Sequence, residues 1–70
     1  MSKMKSHISE YRKERKISQE ELAILVGIRR ETISRLEKGL YNPSLRLAYD
    51  IAKVFNVPIE VLFEFYDEDS

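Results

Sequence analysis

Seventy residues predict one domain, residues 1–70 with a core over residues 8–63; a chain of that size buries only about 60% of the surface its unfolded form exposes, so help from a partner chain is expected. With no cysteine and a single histidine, the composition excludes a disulfide framework and a thiolate metal site. The formal net charge of zero hides a division: residues 1–38 carry ten Lys/Arg against six Asp/Glu and residues 39–70 carry two against six, so one half suits phosphates and the other suits solvent or a partner.

Residues 1–7 are polar and are expected to be either disordered or a short strand. A first helix is predicted from Ile8 to Arg15, with Ile8 and Tyr11 inward. His7 has no Cys or His companion, which favours a place at this helix start over metal ligation. Ser18, with Glu21 three residues on, has the pattern of a capping box and opens a second helix over Gln19–Val26. Leu22, Ala23 and Val26 fall on one face, and Gly27 can take the left-handed conformation that ends a helix at little steric cost. Ala23 suits a crossing too close for a large side chain. Ile24 and Leu25 make the helix apolar nearly all round, so some of this surface is expected to be covered by the N-terminal segment or another protein, and core coverage is the reading we favour.

A third helix is predicted from Arg30 to Lys38, closed by Gly39. Ile28, Ile33 and Leu36 point one way; Arg30, Glu31, Ser34, Arg35 and Lys38 point the other. Such a helix has an apolar seat and a polar face that can present side chains to base edges in a major groove. Leu40 to Pro43 form a loop, because the residue before a proline is biased out of helix, and Ser44 caps a fourth helix that runs to Phe55. Its core-facing stripe is Leu45, Ala48, Ile51, Ala52 and Phe55. Asn56 is a stop, and Pro58 suits the first turn of a short fifth helix through Leu62. Beyond it the period changes: Phe63 and Phe65 alternate with Glu64 and Tyr66, strand spacing that would allow pairing with residues 3–7. The other reading of the tail keeps Phe63 in the core and leaves Phe65 and Tyr66 as a frayed end.

Gln19, Leu22-Ala23, Gly27, Thr32-Ile33-Ser34, Leu36-Glu37-Lys38-Gly39 and Asn42-Pro43-Ser44 together closely resemble the pattern of the Cro and phage-repressor (Xre-type) helix-turn-helix family over about residues 8 to 63. The resemblance implies an all-α fold, a five-helix lambda-repressor-like DNA-binding domain. The chain is also similar to small dimeric repressors of the cytolysin-repressor type, which join their ends in an antiparallel strand pair and dimerise around the fifth helix. By that likeness Ile59, Phe63 and Phe65 are dimer-interface candidates. It also implies a structural ion pair between Arg12 and Glu37 that ties the first helix to the third.

The DNA-binding candidates are Gln19, Arg29, Arg30, Glu31, Ser34, Arg35, Lys38, Tyr41 and Asn42. Arg30 and Arg35 can each donate two parallel hydrogen bonds to O6 and N7 of guanine, or contact phosphate alone. Glu31 departs from the neutral residue common in the family; it could accept from N4 of cytosine, or pair with Arg35 four residues on and aim it, the reading we favour. Arg29 stands where the family commonly has a Ser or Thr cap, and a guanidinium cannot accept the hydrogen bond a cap must accept, so phosphate contact is the expected compensation. Gln19 opens the second helix, where backbone N–H groups favour an anion, and the family assigns it a phosphate contact; Tyr41 and Asn42 are similar candidates in the loop.

Catalysis would need a nucleophile with a base, paired carboxylates in a cleft or a metal site, and none is legible, so the chain is read as no enzyme, with no cofactor and no small-molecule ligand. No apolar run approaches the roughly 20 residues of a membrane helix, and the start lacks the apolar stretch of a signal peptide, which leads us to expect a cytoplasmic protein. The expected function is a sequence-specific transcriptional regulator, a repressor acting as a homodimer on a pseudo-palindromic site in double-stranded DNA. The alternative is a protein-interaction module, an antitoxin or adaptor that uses its acidic tail and apolar second helix.

Overall fold

A computed structural model describes residues 2–67; the acidic tail residues Glu68 and Asp69 lie outside the described residues. The elements follow in the order β1 (Ser2–Ser6), α1 (Ile8–Glu14), α2 (Gln19–Val26), α3 (Arg30–Glu37), α4 (Leu45–Phe55), α5 (Ile59–Leu62) and β2 (Phe63–Asp67). Five helices are thus joined at the chain ends by a two-stranded antiparallel sheet in which Met4 pairs Phe65 and Ser6 pairs Phe63. The expected positions hold to within a residue or so. Arg15 and Lys38 cap their helices from outside the last turn, and Pro58 stands just before α5 rather than inside it.

Ile8, Leu22, Ile33, Leu36, Ile51 and Leu62 are fully excluded from solvent and Phe55 almost so, with Met4, Ala23, Leu47, Ala48, Ala52 and Phe63 completing the core. Each large side chain in that set contributes about 1.5–3 kcal/mol through burial. The helix starts are secured locally: Ser18 accepts from the Glu21 N–H while the Glu21 carboxylate accepts from the Ser18 N–H, and Ser44 accepts from the Leu47 N–H. Gly27 ends α2 in the left-handed region at φ 74°, and nothing would crowd a Cβ there, so glycine serves the backbone angle and not the space. Gly39 differs. Its φ is +72° and a Cβ would stand 2.8 Å from the Met4 carbonyl oxygen, so β1 passes directly against the end of α3.

Three expectations need correction. Leu45 is not a core residue: it is 80% exposed, and Leu47 takes its place at the start of the α4 stripe. At roughly 100° per residue Leu47 lies about 40° from Ile51 around the helix and Leu45 about 120°, which turns Leu45 outward. Ile24 and Leu25 are not covered, at 72% and 62% exposure. The N-terminal segment that was to cover them pairs with β2 instead, and α2 packs on α3 and α4 through its other side. Phe63, an interface candidate, is 4% exposed and belongs to the core of its own chain, whereas Phe65 is 61% exposed.

Candidate nucleic-acid interface

Two close-set helices present the surface. The capped start of α2, the left-handed Gly27 and the main-chain bond from the Ile28 N–H to the Ala23 carbonyl at 3.0 Å set the turn. Ala23, 2% exposed, sits in the α2 face that packs on α3. Arg29 is the residue before α3, extended at φ −85° and ψ 150°, and its side chain makes no capping hydrogen bond. That is what its chemistry requires, since a guanidinium has no acceptor.

Ile33 and Leu36 fix α3 to the core with no exposure at all. On the opposite side Arg30, Glu31, Arg35 and Lys38 are exposed and Ser34 is half-buried. None of these five side chains has a hydrogen-bond or ion-pair partner among the described residues, and the donors of exposed Arg30, Arg35 and Lys38 face water. The expected Glu31–Arg35 ion pair is therefore not formed. Two exposed side chains at that spacing gain only about 0.3–0.5 kcal/mol by pairing, too little to hold both in one rotamer. Tyr41 and Asn42 are exposed in the loop that follows, next to Lys38 and Gly39.

Behind this surface lies a polar knot. The Arg12 Nε donates to Glu37 Oε2 at 2.8 Å, its Nη2 to Oε1 at 3.3 Å and its Nη1 to the Ile17 carbonyl at 3.0 Å. The Gln19 amide donates to the same Glu37 carboxylate at 3.0 Å. The Arg12 and Glu37 side chains are only 13% and 9% exposed, so the pair is largely desolvated and each charge depends on the other. Gln19 is half-buried, and the hydrogen bond to Glu37 holds its side chain at the start of α2. This hydrogen bond of Gln19 has no local signature, because its partner is 18 residues away. A second anchor was also unseen in the sequence: Arg15 donates to the Phe55 carbonyl at 2.9 Å and lies 5.9 Å from the ring centroid, tying α1 to the end of α4.

His7 occupies the start of α1, as its isolation in the sequence suggested. Its Nδ1 is 2.8 Å from Glu10 Oε1, its Nε2 bonds Glu64 on β2, and its backbone N–H donates to the Leu62 carbonyl at 2.8 Å. The hydrogen bonds to Glu10 and then Glu64 raise its pKa above the ordinary 6.5. Among the dimer candidates Ile59 is half-buried against the core. Tyr49 is exposed beside it, and Val61 is exposed two residues further along the chain; the periodicity singled out neither. Among the described residues no group of His, Cys, Asp or Glu is placed to hold a metal ion, and no helix is long and apolar enough to cross a membrane.

The family model described as "Helix-turn-helix" matches residues 8–62. An uncharacterized HTH-type transcriptional regulator of Archaeoglobus fulgidus is 62% identical over 66 residues, which is 94% of this chain and 94% of that protein. The cryptic phage CTXphi transcriptional repressor RstR of Vibrio cholerae is 39% identical over 57 residues, 81% of this chain and 51% of that protein. Among solved structures, the N-terminal DNA-binding domain of SinR from Bacillus subtilis superposes with a TM-score of 0.70 at 33% identity, covering 77% of this chain and 80% of that one. A helix seated by Ile33 and Leu36 with its cationic side open, in a chain so matched, places the protein among DNA-binding transcription regulators and not among enzymes. The chain belongs to the Xre-type helix-turn-helix family.

Proposed function

We propose that the protein is a sequence-specific repressor that binds as a homodimer to a pseudo-palindromic operator, each subunit filling one half-site. The observation that carries this reading is the open face of α3 and its C-cap, where Arg30, Arg35 and Lys38 spend none of their donors on other described residues. Arg30 and Arg35 read guanine; Arg29, Gln19, Tyr41 and Asn42 position the backbone; Ser34 lies between the two arginines at the groove floor. With no partner among the described residues, Glu31 serves as an acceptor for cytosine N4.

The homodimer is supported by exposed apolar side chains on α5 and the strand that follows it, Val61 at 40% and Phe65 at 61% exposure, with Ile59 half-buried. Two subunits so joined would address half-sites about 10 base pairs, or 34 Å, apart.

Selection of bound sequences from a random duplex pool by the purified protein tests both parts. A two-fold symmetric motif with half-sites one helical turn apart is expected; an asymmetric motif that a single subunit saturates would remove the dimer. Binding should weaken by orders of magnitude between 50 and 200 mM salt if about six or more phosphates are contacted. A protein-interaction module would give no enriched motif and no such salt dependence.

A further inference from the structure

The surface open to phosphate does not end at α3. Gly39 brings β1 against the end of that helix, and a groove results whose walls are Lys5 and Ser6 from β1, Lys38 and Gly39 from the turn after α3, and Tyr66 from β2. Strand register puts Lys5 opposite Glu64, which would ordinarily neutralise it. The Glu64 carboxylate is bound by His7 instead. Glu37, which also borders the groove, is bound by Arg12 and Gln19. Both of these acids are thus spent, while Lys5 and Lys38 are exposed and have no ion-pair partner among the residues whose side chains are described. The groove adjoins Tyr41 and Asn42, so it extends the reading surface along one edge.

We propose that this groove receives the sugar–phosphate backbone of the DNA strand flanking the half-site, which makes the sheet formed by the chain ends part of the DNA interface. Lys5 supplies the charge and the Tyr66 hydroxyl a neutral donor; the bases there are not read. The inference rests on the DNA-binding function proposed above, and its test separates the two. Affinity is measured by fluorescence anisotropy across a salt series on two duplexes carrying the selected motif. One ends at the motif, and the other runs a full helical turn beyond it on each side.

On the long duplex Lys5→Gln should lower affinity up to roughly tenfold at 0.1 M salt and reduce the slope of log K against log salt by about 0.9 per subunit. Tyr66→Phe should lower affinity and leave the slope unchanged. On the short duplex both variants should match the parent. Thermal melts should be unchanged, since both side chains are exposed. Parental affinity and slope for Lys5→Gln on the long duplex, with Arg35→Ala still weakened, would overturn the groove and leave the α3 reading standing. Absence of salt-dependent binding by the parent protein would overturn both.

Discussion

The junction of α1, α2 and α3 and the outer face of α3 carry the same residue types and use them in opposite ways. At the junction Arg12, Gln19 and Glu37 satisfy one another within 3.3 Å and are mostly shielded from water. Three residues or fewer from Glu37 in sequence, Ser34, Arg35 and Lys38 have no hydrogen-bond or ion-pair partner among the described residues. A desolvated charge must be paired or the fold loses several kcal/mol, whereas an exposed one can wait in water at no cost until a phosphate or base arrives. Arginine identity therefore says little about role; partnership within the chain separates Arg12, which holds the fold, from Arg35, which is proposed to meet DNA.

The strongest way to break that distinction is Arg12→Ala. It leaves the Glu37 carboxylate without its main donor and should destabilise the domain by about 3–5 kcal/mol, enough to unfold a chain of this size at moderate temperature. Thermal unfolding followed by circular dichroism reads it, and a melt equal to the parent's would end the structural role. Arg35→Ala should do the reverse. Its melting temperature should stay within the range of surface substitutions, while discrimination at a single base pair falls by about 1–3 kcal/mol in competition binding. Equal losses on every sequence would show a phosphate contact, the behaviour expected of Arg29→Ala.

Ser18→Ala removes one arm of the capping box and should cost about 1 kcal/mol, a drop of roughly 4–8 °C in Tm, with base preference unchanged. The smallest effect is the pH response of His7. Its pKa is raised in the folded chain, so its contribution to stability is complete below the ordinary value of 6.5 and is lost as pH climbs through the raised one. Tm should fall over that interval above pH 6.5, and His7→Gln should flatten the fall. An identical profile in both proteins would show that the Glu10 and Glu64 bonds contribute nothing to the fold.

Much of this architecture was legible in the sequence because its determinants are local. Ser18 with Glu21, Gly27, Ser44 and Asn56 set helix ends through groups within four residues, and Ile33 with Leu36 marks a buried face by spacing alone. The alternation from Phe63 to Tyr66 likewise announced a strand. Local spacing misled at Leu45, which sits three residues before Ala48 yet lies about 120° from Ile51 around the helix and faces solvent. Ile24 and Leu25 could be assigned a cover only by knowing where β1 goes.

By itself, then, the order of residues determined five helices, their caps and turns, a basic first half and a cationic helix face with an oily reverse side. Tertiary structure decided which charges are already committed: Gln19 and Arg12 to Glu37, Arg15 to the Phe55 carbonyl, and Glu64 to His7 across 57 positions. It also brought Lys5 alongside Lys38. Hydrogen bonds and ion pairs act over about 3–4 Å of space with no regard to separation along the chain, so no periodicity encodes them.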